Sequence, residues 1–373
     1  MNITVFGLSI SSAWGNGHAT LLRGLFHALH RMGHRIDFFE LDVPYYAAHR
    51  DAISLPYASL HLYSDWRQNQ QLAKRLLGDA DVAIVTSYCP DGAAACELIR
   101  EVKHPLRRVF YDMDTPVTLK HLGGNEPVSY LPPDGLADFD LLLSYTGGKV
   151  LGEIKHKLRA PHVATLYGWV DPDVYYRVPV CKDYASNLSY LGTYAPDRQQ
   201  ALDDLLIKPA QRLRDREFII AGAMYPDAGE WPSNIRHFSH IAPPQHSAFY
   251  SSSPLTLSVT RGVMASMGFC PSGRLFEAAA CGTAVLSDWW EGLDLFFEPG
   301  TEILIANSTA DALSALSIDD GALLGIGVRA RERALDCHTA KERARRLISL
   351  IETPSDAAKE YSLTPAISAA EPA

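Results

Sequence analysis

Two parts of the sequence hold residue types, at spacings, that can do chemistry. The first is Gly268-Phe-Cys-Pro-Ser-Gly-Arg-Leu-Phe-Glu-Ala-Ala-Ala-Cys-Gly-Thr-Ala-Val-Leu-Ser287, which reads as a loop, a short helix and a strand. Ser272 is a good N-cap residue, so Gly273, Arg274 and Leu275 fall in the first helical turn. Their N–H groups have no partner within the helix, and the helix dipole is positive there. Such an end suits phosphate, more so beside an arginine. Glu277 follows one turn after Gly273 and offers a carboxylate to the hydroxyls of a ribose or sugar. Gly282 closes the helix. Read as plain structure, the same residues make a capped core helix with Glu277 favouring the dipole.

The second part lies in the first half of the chain. Tyr111-Asp-Met-Asp-Thr-Pro116 follows a strand, and open α/β sheets place their ligands at strand carboxyl ends. Asp112 and Asp114 could hold a divalent metal, or one could act as a general base or bind substrate. In the structural alternative, Asp114 caps the turn before Pro116 and Asp112 holds a loop. His18, in Gly15-Asn-Gly-His18, stands at the mouth of a helix, where a neutral imidazole could be a base, a hydrogen-bond partner or a simple cap. Gly15, Gly17 and Glu40 together invite a dinucleotide fingerprint. The spacing rejects it: seven residues separate Leu8 from Gly15, and position 20 is Thr20 where the third glycine should be.

The elements that must position these groups alternate. Strands are expected at Asn2–Leu8, Arg35–Leu41, Asp81–Thr86, Arg107–Tyr111, Asp140–Ser144 and His162–Leu166, and helices from about Gly17 to Gly33, at Asn69–Leu77, Gly92–Glu101 and Gly148–Lys157. Tyr167-Gly-Trp-Val-Asp-Pro172 is a candidate linker. A second alternation begins at Ser189-Tyr-Leu-Gly-Thr-Tyr194, with Gly192 in a turn and a helix from Asp197 to about Ile207. Strands Glu217–Ala221, Ile235–Ile241, Leu255–Val259, Ala284–Ser287 and Glu302–Ile305 follow, and helical patterns run from Asp311 to Ile351. The fold class is therefore α/β, with two Rossmann-like, doubly wound parallel-sheet domains facing a central cleft. The expected divisions are 1–168, 169–338, a C-terminal helix 339–352 packing toward the first domain, and a disordered Pro/Ser/Ala-rich tail 353–373.

Composition narrows the function. At 373 residues two domains are the natural expectation. A net charge of −9 argues against non-specific nucleic-acid binding. Six cysteines without zinc or CxxC spacing read as reduced thiols of a cytoplasmic protein. No apolar run is long enough for a membrane span, and the N-terminal residues do not read as a secretory signal.

Several stretches together carry a family resemblance. They are Tyr111-Asp-Met-Asp-Thr-Pro-Val-Thr-Leu119, Leu143-Ser-Tyr-Thr-Gly-Gly148, Tyr190-Leu-Gly-Thr-Tyr194 with Asp197-Arg198-Gln199, and Ala221-Gly-Ala-Met-Tyr-Pro226. To these add Val259-Thr-Arg-Gly-Val-Met264, Pro271 to Gly282, and Ser287-Asp-Trp-Trp-Glu-Gly-Leu293. From the first strand to the helix near Ile351, the chain resembles the CgeB-like (spore-maturation-protein-type) glycosyltransferases of the GT-B fold. The resemblance implies a hexosyltransferase-type enzyme that uses a nucleotide-diphosphate sugar, first of all a UDP-sugar, with no cofactor and no essential metal. Gly273, Arg274 and Leu275 would present N–H groups to the diphosphate and Glu277 would bind the ribose. Arg198 and Arg261 would neutralise the leaving group, and the main chain at Ile241 would bind the base. Gly15, Gly17, His18 and Asp112 would face an acceptor, whether glycan, protein or small molecule.

One position departs from the pattern. Many retaining GT-B enzymes carry a second glutamate eight residues before the ribose-binding one, and here that position is Phe269. An inverting displacement needs a base, which Asp114 or His18 could supply; Asp114 is favoured because it follows a strand directly. The competing readings are a GT-B-fold sugar-nucleotide epimerase and a non-catalytic nucleotide-sugar-binding or spore-coat-type protein.

Overall fold

The computed structural model describes residues 1–124, 126–226 and 231–353. The tail expected from Thr353 lies, beyond that residue, outside the described residues. The chain forms two compact units. The first comprises Met1–Asp171, Arg261–Gly273 and the helix Ala340–Glu352; the second comprises Pro172–Thr260 and Arg274–Thr339.

The first unit holds seven strands: β1 Asn2–Gly7, β2 Arg35–Leu41, β3 Ser59–Tyr63, β4 Val82–Thr86, β5 Arg107–Asp112, β6 Leu141–Ser144 and β7 Val163–Thr165. All pair in parallel, in the order β3-β2-β1-β4-β5-β6-β7. Successive strand residues point to opposite faces, and both faces are apolar. Val5, Ile84, Val109 and Leu143 pack on one side with Leu22, Leu25, Phe26 and Leu29 of the helix Gly17–Arg31 and with Leu347 and Ile351. Their neighbours Phe6, Val85, Phe110 and Leu142 pack on the other side, with Leu77, Ile99 and Ile154.

The second unit holds β8 Leu188–Leu191, β9 Phe218–Ala221, β10 Ile235–Phe238, β11 Leu255–Ser258, β12 Ala284–Ser287 and β13 Leu304–Ile305. These are also parallel, in the order β10-β9-β8-β11-β12-β13. In both sheets the winding reverses after the third strand, when the fourth pairs on the other side of the first: β4 beside β1 in one and β11 beside β8 in the other. Those reversals open the crevices in which such sheets bind ligands.

Several elements differ from the sequence reading. The edge strand β3 was not expected, nor were the helices Thr115–Gly123 and Gly262–Met267. The helix expected from Asp197 to Ile207 is broken into a 3-10 turn Pro196–Arg198, a turn of α-helix Gln199–Leu202 and a π-helical turn Asp203–Ile207. Pro209 accounts for the last of these. It has no N–H to give and its ring crowds the carbonyl four residues back, so the chain widens there before Lys208–Arg212 resumes the helix.

Candidate active site

At the winding reversal of the first sheet, four strand ends bring polar groups together. After β1, the loop Ser9–Ser12 folds onto Glu40, which ends β2 and is fully buried. The Glu40 carboxylate accepts from Ser9 Oγ at 2.8 Å, Ile10 N at 2.7 Å, Ser11 N at 3.0 Å and Ser11 Oγ at 2.5 Å. It is therefore a clamp on this loop, which agrees with the rejection of a ribose-binding dinucleotide role. Asn16 then caps the helix: its Oδ1 accepts from His18 N at 3.1 Å, while its Nδ2 donates to Ser9 O and Ser12 O. Gly15 turns the chain with a φ of 60°, and Gly17 opens the helix that presents His18.

His18 Nε2 lies 2.9 Å from Asp114 Oδ2. The same oxygen accepts from Ser87 Oγ at 2.7 Å, and Ser87 Oγ accepts in turn from Met113 N at 2.9 Å. Asp114 occupies the N-cap position of the helix Thr115–Gly123, yet its side chain makes no capping bond. Its carboxylate is directed to His18 and Ser87 instead, and 18% of the side chain remains exposed. Nε2 donates to the carboxylate, and Nδ1 is buried without a hydrogen-bond partner among the described residues. In this arrangement a proton-accepting oxygen is more accessible on Asp114 than a nitrogen is on His18.

Asp112, expected on the acceptor side, does not reach a ligand. It is fully buried, and its Oδ1 accepts from Asp114 N and from Thr118 Oγ1, each at 3.0 Å. Its Oδ2 has no partner among the described residues. Burial, and then the charge of Asp114, raise its pKa to about 7. Asp112 braces Asp114 from below.

Tyr88, after β4, holds a left-handed φ of 58° and stays 41% exposed, with its ring 6.2 Å from that of His18. Arg261, expected with the donor-binding residues, falls in the first unit, where its charge acts on Tyr88. Phe269 has a φ of 48°, accepts a hydrogen bond from Gly147 N at 3.0 Å, and lies against Gly148, where a Cβ would come within 2.4 Å of its ring.

The helix Gly273–Ala280, which belongs to the second unit from Arg274 onward, carries Arg274 and Glu277, both partly exposed, while the Leu275 side chain is buried. Gly192 follows β8 and packs tightly: Tyr225 OH donates to its carbonyl at 2.9 Å. The charges of Arg198 and Arg274 both act on Tyr225. Arg198 is buried and donates to Thr193 O. Glu277 accepts from Tyr250 OH at 3.2 Å, and its charge acts on Tyr175 and His246 as well. His246 Nε2 donates to Ile241 O at 3.1 Å, which connects the proposed base-binding main chain to the same cluster. After β12, Asp288 accepts from Thr260 N at 2.9 Å and Thr260 Oγ1 at 3.1 Å, and burial raises its pKa to about 6.

Thus His18, Asp112 and Asp114 come together in one unit, and Gly192, Arg198, Ile241, Arg274 and Glu277 surround one region of the other. Sequence reasoning did not single out Ser87, Tyr88, Tyr175, Tyr225, His246, Tyr250 or Asp288 as site residues. Ser87 and Tyr88 directly follow β4 at the winding reversal, and that position is the signal that could have found them.

Two parallel sheets of this kind, each wound in the Rossmann order, define the GT-B fold, the architecture of the solved glycosyltransferases that the chain is similar to. A family model described as "Glycosyl transferase-like" matches residues 198–349. Sucrose-phosphate synthase from Thermosynechococcus elongatus is 13% identical, with a TM-score of 0.66 over 94% of this chain and 98% of that one. HepE from Anabaena in complex with UDP-glucose is 12% identical, with a TM-score of 0.64 over 94% and 99% of the two chains. An α-glucosyltransferase in complex with UDP-glucose and DNA containing an abasic site is 14% identical, with a TM-score of 0.65 over 94% and 99%. No curated protein matches the sequence. Among the described residues no helix is long and apolar enough to cross a membrane.

Proposed function

We propose that this protein is a metal-independent, inverting hexosyltransferase of the CgeB-like group, which moves a sugar from a UDP-sugar to a hydroxyl of its acceptor in the cytoplasm. The observation that carries the reading is that the charges of Arg198 and Arg274 both act on Tyr225, beside the Gly192 turn that follows β8, with Glu277 on the same helix as Arg274. A diphosphate needs cations and N–H donors, a ribose needs a carboxylate, and that region offers both. Two neighbours of similar fold are complexes with UDP-glucose, which supports a uridine nucleotide as the first donor to try.

In the reaction, Asp114 accepts the proton of the acceptor hydroxyl as its oxygen attacks the sugar's anomeric carbon. The bond from that carbon to the diphosphate breaks, and the nucleotide diphosphate leaves with the electron pair. Arg198, Arg274 and the N–H groups of Gly273 to Leu275 stabilise the growing negative charge. His18 and Ser87 hold Asp114 Oδ2, which keeps the carboxylate aimed. Phe269, where a retaining enzyme has a carboxylate, favours direct displacement.

The test is to incubate the purified protein with UDP-, GDP- and ADP-sugars and an acceptor panel, with and without chelator, and to follow nucleotide release and product stereochemistry. The reading expects acceptor-dependent release, unaffected by chelator, with an inverted product. Interconverted sugar nucleotides without release would instead identify an epimerase, and binding without any turnover a binding protein.

A further inference from the structure

The carboxylate assigned to the ribose is held by residues that neither motif nor resemblance singled out. Glu277 stands on a helix whose next turn is buried, but the carboxylate itself is only partly buried. A glutamate on an exposed helix face would sample several rotamers, each presenting its oxygens differently to a ligand. Here two tyrosines surround it. Tyr250, at the end of the helix His246–Ser251, is 1% exposed and donates its hydroxyl to Glu277 Oε2 at 3.2 Å. Tyr175, on the segment that begins the second unit, is 5% exposed and lies against the same carboxylate.

The proton arrangement around Tyr175 is constrained. Ile241 O can only accept, so His246 Nε2 carries a proton. Burial lowers the pKa of His246 and keeps the ring neutral, which leaves Nδ1 as an acceptor 3.4 Å from Tyr175 OH. The single proton of Tyr175 therefore lies between His246 Nδ1 and Glu277. Tyr175 itself is fixed by its surroundings: Ser247 Oγ donates to Val174 O at 2.9 Å and accepts from Tyr176 N at 3.3 Å. Buried hydroxyls fixed in this way cost no reordering when a ligand arrives.

We propose that Tyr175 and Tyr250 are positioning residues that fix the Glu277 carboxylate for the ribose hydroxyls, and so set the preference of the donor site for ribonucleotides over 2′-deoxyribonucleotides. The inference rests on Glu277 being the ribose-binding residue. Neither tyrosine is required to touch the nucleotide; each acts through Glu277.

The test compares UDP, ADP and GDP with their 2′-deoxy forms in calorimetric titrations of the full chain, using wild type, Tyr175→Phe, Tyr250→Phe and Glu277→Gln. Phenylalanine keeps the ring volume and removes only the hydroxyl, and thermal unfolding checks that each variant is folded. Wild type is expected to prefer the ribo form of its best nucleotide by about tenfold or more, the usual scale of a hydrogen bond to a charged group. Each Tyr→Phe change is expected to weaken the ribo form several-fold and leave the deoxy form unchanged, so that the ratio falls toward that of Glu277→Gln. Equal weakening of both forms, or an unchanged ratio in both variants, would overturn the tyrosine assignment while leaving the donor site intact. A wild type that binds none of the nucleotides, or a Glu277→Gln variant with the wild-type ratio, would instead overturn the ribose reading on which the proposal stands.

Discussion

His18 Nε2 donates to Asp114 Oδ2 across 2.9 Å, and this bond assigns different work to the two residues. The imidazole has no lone pair facing the opening, because Nδ1 is buried. In the proposed reaction the carboxylate accepts the proton and the histidine steadies it. Asp114→Asn is therefore expected to lower kcat by about 10²- to 10⁴-fold with donor binding unchanged, the usual range for losing a general base. His18→Ala should lower kcat by only about tenfold, because Ser87 still holds the same oxygen. Steady-state kinetics of both variants checks this, and a His18→Ala loss as large as that of Asp114→Asn would reverse the roles.

Donor binding should depend on the second unit. Glu277→Ala and Arg274→Ala are each expected to raise the donor KM by roughly tenfold or more, as expected for a hydrogen bond to a charged group. Titrating a nucleotide diphosphate into each variant measures the effect without turnover. Wild-type affinity in both variants would remove them from the donor site.

Asp112 predicts a particular dependence of stability on pH. Its pKa is raised from an ordinary 3.8 to about 7 in the folded protein, so folding favours the protonated form. That contribution is fully present below about pH 4 and is lost as pH rises through about 7. Asparagine does not titrate and its Oδ1 can still accept from Asp114 N and Thr118. The stability of Asp112→Asn relative to wild type should therefore improve from pH 5 to about pH 7 and level off toward pH 8. Urea unfolding midpoints at intervals across that range test this, and a constant difference would show that Asp112 does not titrate there.

Phe269 and Gly148 should be energetically coupled. A Cβ at Gly148 would come within 2.4 Å of the Phe269 ring, and Gly148 has a φ of 67° that an L side chain tolerates poorly. Gly148→Ala should cost about 2–4 kcal/mol, combining backbone strain with overpacking. Removing the ring in Gly148→Ala/Phe269→Ala relieves the clash but not the backbone strain, so the double variant should lose less than the sum of the two single changes. A denaturation double-mutant cycle with additive losses would count against the contact.

Much of the architecture could be read from local pattern. The buried strands β1, β4, β5 and β6 are continuous apolar runs, which leave few alternatives in a parallel sheet. The strand β3 escaped notice because Ser59-Leu-His-Leu-Tyr63 is a short edge strand in which only Tyr63 is buried. The helix after Asp114 was hidden by Pro116, which reads as a turn but stands in the first helical turn, where its missing N–H is harmless. Asp112 and Asp114 were found by their place at a strand end. Their division into a buried brace and an accessible carboxylate depends on burial, which a sequence does not display. The bond from His18 to Asp114 depends on β1 and β5 both flanking β4, a matter of strand order. In the second unit, Glu277 was legible from the helix start, whereas Tyr175 and Tyr250 reach it only through tertiary packing.

The helix Ala340–Glu352 supplies Ala344, Leu347, Leu350 and Ile351 to the core of the first unit, all of whose strands come from the opening residues of the chain. Synthesis runs from the N-terminus, and domains generally fold as they emerge. The described residues of the second unit end at Thr339, so they leave the ribosome before the first unit has received its closing helix. The part of the chain made first is thus the part completed last. A nascent chain halted before residue 340 would expose the apolar face of the helix Gly17–Arg31 and leave it in need of a chaperone's cover.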